Sequence, residues 1–563
     1  MVAALPKSVI AIVLIAGGAH AASVAWPFYA GLAHGQPVWW LQLLAMLALV
    51  WRLQRCSSAR QGAWLGWWFA TAMQCATWWW LFISLHTYGG LASPLAVLAI
   101  LGLAGFLALY HAAVCAVFVR LSPVQGRVYA PDRVVIRPAL FAALWLLAEL
   151  GRVAFFTGFP WGEGGYAQLD GPFANLAKAV GVHGLTFVSA WGAASLVAVM
   201  LRPRWSRALC VAAVLVVAGV VSFLLKVDQG NDKDASLFSA AYPPSVPGLV
   251  TQPFTVALLQ GNIAQDEKFS GGSGIPDALK WYGEQLRRST ASLVVTPETA
   301  LPLLPAQLPE GYLAELLHHF MQPAPSSSST PRTAALVGIP LGSSEQGYTN
   351  SVIGLKPVAA STQGASPVDV QSQMQSQIYR YDKHHLVPFG EFVHPLFKWF
   401  LAIVNMPLSD FNRGAVSQPS FDWQGQRIAP NICYEDLFGE ELAARFVDSA
   451  TSPTLFVNIS NIGWFGNTIA IDQHVNISRM RAIEFERPMV RATNTGATAI
   501  IDHRGQVTHS LARHTRGVLV GAVEGRSGIT PYAWWVSRFG LWPLWALCLG
   551  IAGFAAVAKR RGS

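Results

Sequence analysis

Charge is scarce in this chain. Asp, Glu, Lys and Arg make up 12% of its 563 residues and hydrophobic residues 53%, whereas a soluble domain carries roughly 25% charged residues. That excludes an ordinary soluble protein of three or four domains. The excess of cations, +9 in all, comes without a basic groove interleaved with aromatics, so nucleic-acid binding has no support. Cysteine is scarce as well. Four of the six lie in long apolar runs, and Cys56 lies in a short basic loop between two of them. The large polar stretch holds Cys433 alone, which excludes an internal disulfide there, and nothing beside it has metal-ligand spacing. Internal repeats, a Gly-rich phosphate loop and a zinc spacing are also missing. A lone thiol leaves two readings, a small buried hydrophobe or a nucleophile.

Apolar runs are what the chain has in quantity. Runs of spanning length lie near 8–30, 38–53, 62–85, 91–119, 138–156, 174–201, 208–226 and 538–558, which predicts eight transmembrane helices. The first is too long for a cleavable signal and is followed at once by the next. Cations then orient the chain. With Lys7 in the cytoplasm, the inner loops collect Arg52, Arg55 and Arg60, then Arg120, Arg127, Arg133 and Arg137, then Arg202, Arg204 and Arg207, and finally Lys559, Arg560 and Arg561. The short outer loops 32–37 and 86–90 hold no Lys or Arg. Both termini are therefore expected in the cytoplasm, with 227–530 outside it. ATP is absent there, so bond-forming chemistry must draw on a substrate that is already activated.

Within 227–530, the stretches 228–246, 322–332 and 359–376 read as linker and loop insertions. Between them, strand candidates at 254–260, 293–296, 334–339, 350–355, 378–382, 427–433, 454–459, 498–502 and 517–522 alternate with helix candidates at 277–292, 311–320, 439–448 and 471–487. This alternation predicts an α/β layer fold. Three strands end in charged or nucleophilic residues. One ends at Glu298, another leads into Lys383 and Glu391, and a third ends at Cys433 and Glu435. Ligand sites gather at strand ends in α/β sheets. A thiol needs a base, which a carboxylate raised in proton affinity by desolvation could be. Attack on a carbonyl needs an oxyanion stabiliser, which a fixed ammonium and a backbone N–H supply. Singly, each residue has a plainer explanation: Glu298 as a helix cap, Lys383 with His384 and His385 as a solvated patch, Glu391 as a partner for either.

Together these segments resemble the nitrilase superfamily and, with the spans on either side, its apolipoprotein N-acyltransferase family. The resemblance rests on Leu258-Leu-Gln-Gly-Asn-Ile263, Pro297-Glu-Thr-Ala-Leu-Pro302, Asp382-Lys-His-His-Leu-Val-Pro-Phe-Gly-Glu391, Ile432-Cys-Tyr-Glu435, Ile459-Ser-Asn-Ile-Gly-Trp-Phe-Gly466, Arg479-Met-Arg-Ala-Ile-Glu484 and Arg491-Ala-Thr-Asn-Thr-Gly496. Thr157-Gly-Phe-Pro-Trp161 with Gly165-Tyr-Ala-Gln168 matches an outer-loop motif of the same family. It implies a membrane protein of eight transmembrane helices carrying an extracytoplasmic α/β nitrilase-like αββα sandwich. The implied domains are 1–226, a bundle of seven helices; 227–530, a periplasmic nitrilase-like (carbon-nitrogen hydrolase) catalytic domain; and 531–563, a C-terminal helix with a basic tail.

The resemblance further implies Glu298 as general base, Lys383 as oxyanion stabiliser and Cys433 as nucleophile, supported by Glu391, Glu435 and Tyr434. The implied reaction carries a fatty acyl chain from a phospholipid, phosphatidylethanolamine above all, through a thioester to the amine of a diacylglyceryl-cysteine lipoprotein. No cofactor or metal is expected, nor any nucleic acid, and the enzyme is expected to be a monomer in the inner membrane. Phe269 stands where some relatives have Trp, and Ile462-Gly463 where some have Asp-Ala. Both are pocket-rim or loop positions. Phe269, Trp464, Trp399 and Phe400 are candidates for lipid access, the last two in the apolar segment 395–408, which reads equally as a core helix or a membrane-dipping arm. A second enzyme reading is a membrane-tethered amidase that resolves the thioester with water. A non-enzyme reading, a transporter or receptor with a ligand-binding outer domain, would need ionisable residues lining a path, against which the spans are nearly charge-free.

Overall fold

A computed structural model describes residues 5–122, 133–201, 254–322, 332–358, 377–393 and 410–561. The predicted span at 208–226 and the segment 395–408, with Trp399 and Phe400, lie outside them. The described chain falls into two compact units. One is helical: α1 (Lys7–Val24), α2 (Trp39–Leu53), α3 (Ala59–Trp78), α4 (Ser93–Leu121), α5 (Arg133–Ala154), α6 (Ala177–Met200) and α12 (Trp542–Arg561). The other takes in Phe82–Ala92 and the chain from the first strand to α11 (Pro531–Phe539).

Among the described residues, four helices are long and apolar enough to cross a membrane: Lys7–Val24, Ser93–Leu121, Ala174–Met200 and Trp542–Arg561. Their outward residues are large and apolar, as at Ile15, Leu98 and Phe554, a surface suited to lipid and not to water. Small residues bring helices together inside. A Cβ on Gly17 would lie 2.3 Å from the Phe69 carbonyl, and one on Gly66 would lie 2.6 Å from that of His111, so α1, α3 and α4 pack backbone to backbone.

The helical interior holds more charge than the low overall content suggests. Glu149 is fully buried and accepts from the Gly164 N–H at 3.1 Å and the Thr186 hydroxyl at 2.8 Å. Arg152, equally buried, donates to the carbonyls of Phe159 and Trp161 at 3.0 and 2.9 Å. Gln42 donates to the Gly164 carbonyl. These groups take up backbone donors and acceptors of the loop 157–168, which would otherwise be unsatisfied in an apolar interior.

The second unit is built on two six-stranded sheets. The first runs β12 (Gly517–Val523), β1 (Phe254–Gln260), β2 (Leu293–Val295), β3 (Ala334–Ser343), β4 (Gly347–Leu355) and β5 (Tyr379–Asp382). The second runs β11 (Val507–Ser510), β10 (Ala499–Ile501), β9 (Met489–Thr493), β8 (Leu455–Ser460), β7 (Gln426–Ile432) and β6 (Phe421–Trp423). In each, three parallel strands form the middle and antiparallel strands the flanks.

Period-two alternation divides the side chains between layers. Val256, Leu258, Val295 and Leu336 meet Ile428, Val457, Ile459 and Val490 between the sheets. Ala257, Leu259, Val294 and Val337 face α7 (Gly274–Arg288) and α8 (Tyr312–Met321) instead. In the second sheet α9 (Gly439–Ala443) follows β7 and α10 (Ala470–Phe485) connects β8 to β9. The result is a two-sheet nitrilase-like layer fold.

Three strands were not anticipated. β6 is three residues long, β11 is exposed throughout, and β9 carries Arg491 in a fully buried strand. The expected helix at 439–448 is shorter, passing into a 3-10 turn at Ala444–Phe446.

Candidate active site

The residues singled out above lie just beyond strand ends: Glu298 after β2, Lys383 after β5, and Cys433 directly after β7. Each end is shaped by a local constraint. Thr296 accepts from the Gly338 N–H through its hydroxyl at 2.9 Å, and a Cβ on Gly338 would lie 2.2 Å from the Pro297 carbonyl. Only a glycine lets β3 approach the turn bearing Glu298 this closely. Thr299, next in that turn, has a φ of 50°. Cys433 itself has a φ of 53° and opens a 3-10 turn, Cys433–Leu437. A left-handed, non-glycine residue is costly and persists only where its surroundings hold it.

Lys383 is fully buried between two carboxylates. Its Nζ lies 3.1 Å from Glu298 Oε1 and 2.8 Å from Glu391 Oε2. Asn350 donates from one amide nitrogen to both acids, at 2.7 Å each. Glu298 Oε2 accepts the Asn461 N–H at 2.9 Å, and the Val387 N–H holds Glu391 Oε2. Glu435 ties the Cys433 end to the Lys383 end. One oxygen accepts the N–H groups of His384 and His385 at 2.6 and 3.2 Å, the other the Ile432 N–H at 2.7 Å and the Tyr381 hydroxyl at 2.8 Å. Burial raises its affinity for a proton, against the pull of these hydrogen bonds.

The carbonyl of Cys433 accepts from Asn458 Nδ2 and from His474 Nε2, both at 3.2 Å. His474 Nδ1 lies 2.9 Å from Arg491 Nη2. A guanidinium can only donate, so Nδ1 must be the acceptor and Nε2 carries the proton. That proton is shared with Asp436 at 3.0 Å, and Asp436 is bonded in turn by Arg491 at 3.1 Å and by Ser478.

Electrostatics differ from the expected desolvated base. Burial alone would raise Glu298, but the Lys383 and Lys268 ammonium groups and the Asn350 hydrogen bond outweigh it, and the carboxyl stays below its ordinary range. Lys383 goes the other way: burial opposes its charge, and Glu298 and Glu391 more than restore it, holding it above the usual lysine value. The Cys433 thiol is pushed up to about 12 by burial and then by the Glu298 charge, against the pull of Lys383 and of Ser460. The Ser460 hydroxyl donates to Sγ at 3.3 Å. The resting site is thus a neutral thiol beside an ionised acid and a locked ammonium.

Other residues fall into place less directly. The Tyr434 ring packs on Phe438 and His385. Phe269 is 39% exposed, with the Lys268 ammonium 5.8 Å from its ring centre. The Trp464 carbonyl accepts the Ser84 hydroxyl at 2.7 Å, and its ring meets Tyr88 edge-on. Asn350, Ser460, Asn461 and His474 were given no role from sequence, although all but Asn350 adjoin or sit within the quoted motifs or a helix candidate. Lys268, which precedes the rim candidate Phe269, was also given no role from sequence; its side chain is buried and its Nζ donates to the Glu298 carbonyl at 2.9 Å.

Comparison with known proteins covers both units. Residues 21–195 match the family model described as "Apolipoprotein N-acyltransferase N-terminal domain", and residues 255–531 match "Carbon-nitrogen hydrolase". A protein of Verminephrobacter eiseniae named apolipoprotein N-acyltransferase is 54% identical, over 94% of this chain and 92% of its own. Proteins of the same name from Ralstonia nicotianae and Bordetella bronchiseptica are 39% and 38% identical, over 93% and 98% of this chain and 90% and 97% of their own. The helical part and the hydrolase part are shared with these relatives as one chain, and the protein belongs to the apolipoprotein N-acyltransferase family of the nitrilase superfamily.

Proposed function

We propose that this chain transfers a fatty acyl group from a phospholipid, through a thioester on Cys433, to the terminal amine of diacylglyceryl-cysteine lipoproteins. The observation that carries this reading is likeness along both units at once, at 54% identity over 94% of the chain. A soluble amidase would need the hydrolase part alone, so the amidase reading has less support.

The geometry suits the two steps. Sγ bonds to the ester carbonyl carbon as the thiol proton passes to Glu298. Oε1 is occupied by Asn350 and Lys383, so the proton goes to Oε2. With the thiol as high as about 12, a free thiolate is not stored; proton transfer accompanies attack. Lys383 has three N–H bonds to share between two carboxylates and the new oxyanion. Collapse breaks the ester C–O bond, and the lysophospholipid oxygen takes the proton back from Glu298. The lipoprotein amine then attacks the thioester and loses a proton to Glu298; the C–S bond breaks and the departing sulfur takes that proton back, restoring the Cys433 thiol and the Glu298 carboxylate. Ester to thioester is near balance and thioester to amide is downhill, so no nucleotide is needed.

The finer architecture belongs to the same proposal: eight spans in the inner membrane, both termini in the cytoplasm, domains at 1–226, 227–530 and 531–563, a periplasmic catalytic domain and a monomeric enzyme. The distribution of arginines supports the orientation. Exposed Phe269 beside buried Lys268 supports an apolar rim, which Trp464, Trp399 and Phe400 would extend toward lipid. Incubation with phosphatidylethanolamine should add one acyl mass to Cys433, and a diacylglyceryl-cysteine peptide should remove it as an amide. Removal by water at the same rate would favour the amidase. In a cysteine-free background, a cysteine at Ser326 should react with an impermeant thiol reagent in cells with a permeabilised outer membrane, and one at Ser57 should not. The reverse pattern would overturn the orientation.

A further inference from the structure

Lys268 is the second lysine of the site, and the steps above make no use of it. It is 4% exposed, and its Nζ donates at 2.9 Å to the backbone carbonyl of Glu298. A buried ammonium is costly unless it is paired and hydrogen-bonded. The carbonyl it holds belongs to the turn in which Thr299 is left-handed and against which Gly338 of β3 leaves no room for a side chain. One lysine therefore grips the main chain of Glu298 while another, Lys383, grips its carboxylate at 3.1 Å.

Charge count gives the grip a second meaning. Lys383 stands between two carboxylates, Glu298 and Glu391, and Lys268 is the second ammonium beside Glu298. Without Lys268 a single ammonium would have to offset both of these carboxylates before any oxyanion forms, and the developing negative charge would meet more repulsion in a desolvated pocket.

We propose that Lys268 is a positioning residue for acyl transfer: its ammonium pins the main chain of Glu298 and supplies the second positive charge that keeps that carboxylate ionised while the negative tetrahedral intermediate forms. This rests on the reading of Glu298 as the base.

Its proton is the weak point of the arrangement. The charged and titratable groups facing it are Glu298 and Cys433, with Lys383 and Glu391 one contact further. Burial lowers Lys268 to about 8, against the attraction of Glu298 and Cys433. The thiol, at about 12, and Lys383, held higher than usual, titrate too far up to produce a limb there.

The test is the rate of acyl-adduct formation on Cys433, followed by intact-protein mass with phosphatidylethanolamine in mixed micelles across an acid-to-alkaline series. The wild type should lose rate above about pH 8 as Lys268 discharges. Lys268→Met should slow the adduct about 10- to 100-fold, the range for losing a hydrogen bond to a charged group. It should also move the acid limb up in pH, because removing a cation makes Glu298 easier to protonate. Lys268→Arg should restore the acid limb and abolish the alkaline one, since a guanidinium does not discharge.

A Lys268→Met enzyme with the wild-type rate and acid limb would overturn the proposal. If that variant does not fold, an alkaline limb that is missing from the wild type, or that survives in Lys268→Arg, would overturn it just as well. Glu298→Gln separates the two levels. Adduct formation by that variant sinks the base assignment itself, whereas an inactive Glu298→Gln beside an unaffected Lys268→Met sinks only the role of Lys268.

Discussion

The carbonyl of Cys433 and its thiol face two different kinds of buried charge network. On the carbonyl side, Asp436, His474, Arg491 and Ser478 bond mainly to one another: both oxygens of Asp436 are occupied, and both ring nitrogens of His474 are engaged. On the thiol side, Glu298 Oε2 has one N–H donor, and Lys383 divides its protons between two acids. In the first network the carboxylate and the imidazole are fully engaged with their neighbours, and the second has both a lone pair and a proton donor in reserve. A saturated network can hold a left-handed backbone in place, whereas chemistry needs an unsaturated one.

The largest effects should come from the thiol side. Cys433→Ala should abolish the acyl adduct while the melting temperature stays near that of the parent. Glu298→Gln and Lys383→Met should slow the adduct by at least ~10³-fold, the scale of a lost base or oxyanion donor. Cys433→Ser should be nearly inactive, because Glu298 is too weak a base for an alkoxide. A serine variant that turned over fully would show that the thiol is dispensable.

Breaking the carbonyl-side network should read out as stability instead. Arg491→Met strands the buried Asp436 carboxylate and should cost about 3–5 kcal/mol, visible as a lower melting temperature in detergent. Adduct rates per folded molecule should fall much less than for Lys383→Met. An unchanged melt with a collapsed rate would erase the distinction between the two sides.

A milder effect should follow Gly338→Ala, which places a methyl group against the Pro297 carbonyl. A cost of about 1–3 kcal/mol is expected for such overpacking, with slower acylation because the Glu298 turn is displaced. Wild-type melting with wild-type acylation would show that the turn can move aside.

The smallest effect is acid sensitivity. Glu298 and Asp436 are both held below the ordinary carboxylate range by neighbouring cations and hydrogen bonds, in spite of burial. Each therefore contributes stability that is present above the unfolded value of about 4 and is lost as pH falls through the lower folded value. Melting temperature against pH should decline on that side. Arg491→Met should weaken the Asp436 part of the decline, because one of the groups that depress it, after His474 and beside Ser478, is gone.

What could be read from sequence divides along these lines. β1 was legible to the residue, because Phe254–Gln260 is β-rich and bounded by polar signals. The convergence of Glu298, Lys383 and Glu391 was legible too, because each follows a strand of the first sheet. The behaviour of Glu298 was not. It depends on two lysines that are 30 and 85 positions away, and sequence showed the burial without the cations that outweigh it. β9 was missed because Arg491 interrupts its apolar pattern, and only Asp436, 55 positions away, makes that arginine tolerable in a buried strand. Lys268 drew no role because its contact with the Glu298 carbonyl, 30 positions away, leaves no trace in the local pattern, whereas its exposed neighbour Phe269 stands out as an apolar rim position.

The short stretch Phe82–Ala92, between α3 and α4 in the chain, belongs to the unit that holds Cys433. Ser84 and Tyr88 bind Trp464, and Ile83 lies against Gly466, where a Cβ would approach it to 3.1 Å. The hydrolase part is therefore discontinuous in the gene. A fragment cut out at β1 and α11 would leave behind a piece of its own wall, and the 462–466 turn would lose its brace. Anyone wishing to express that part free of the helices would have to supply 82–92 as a separate peptide or splice it in by circular permutation.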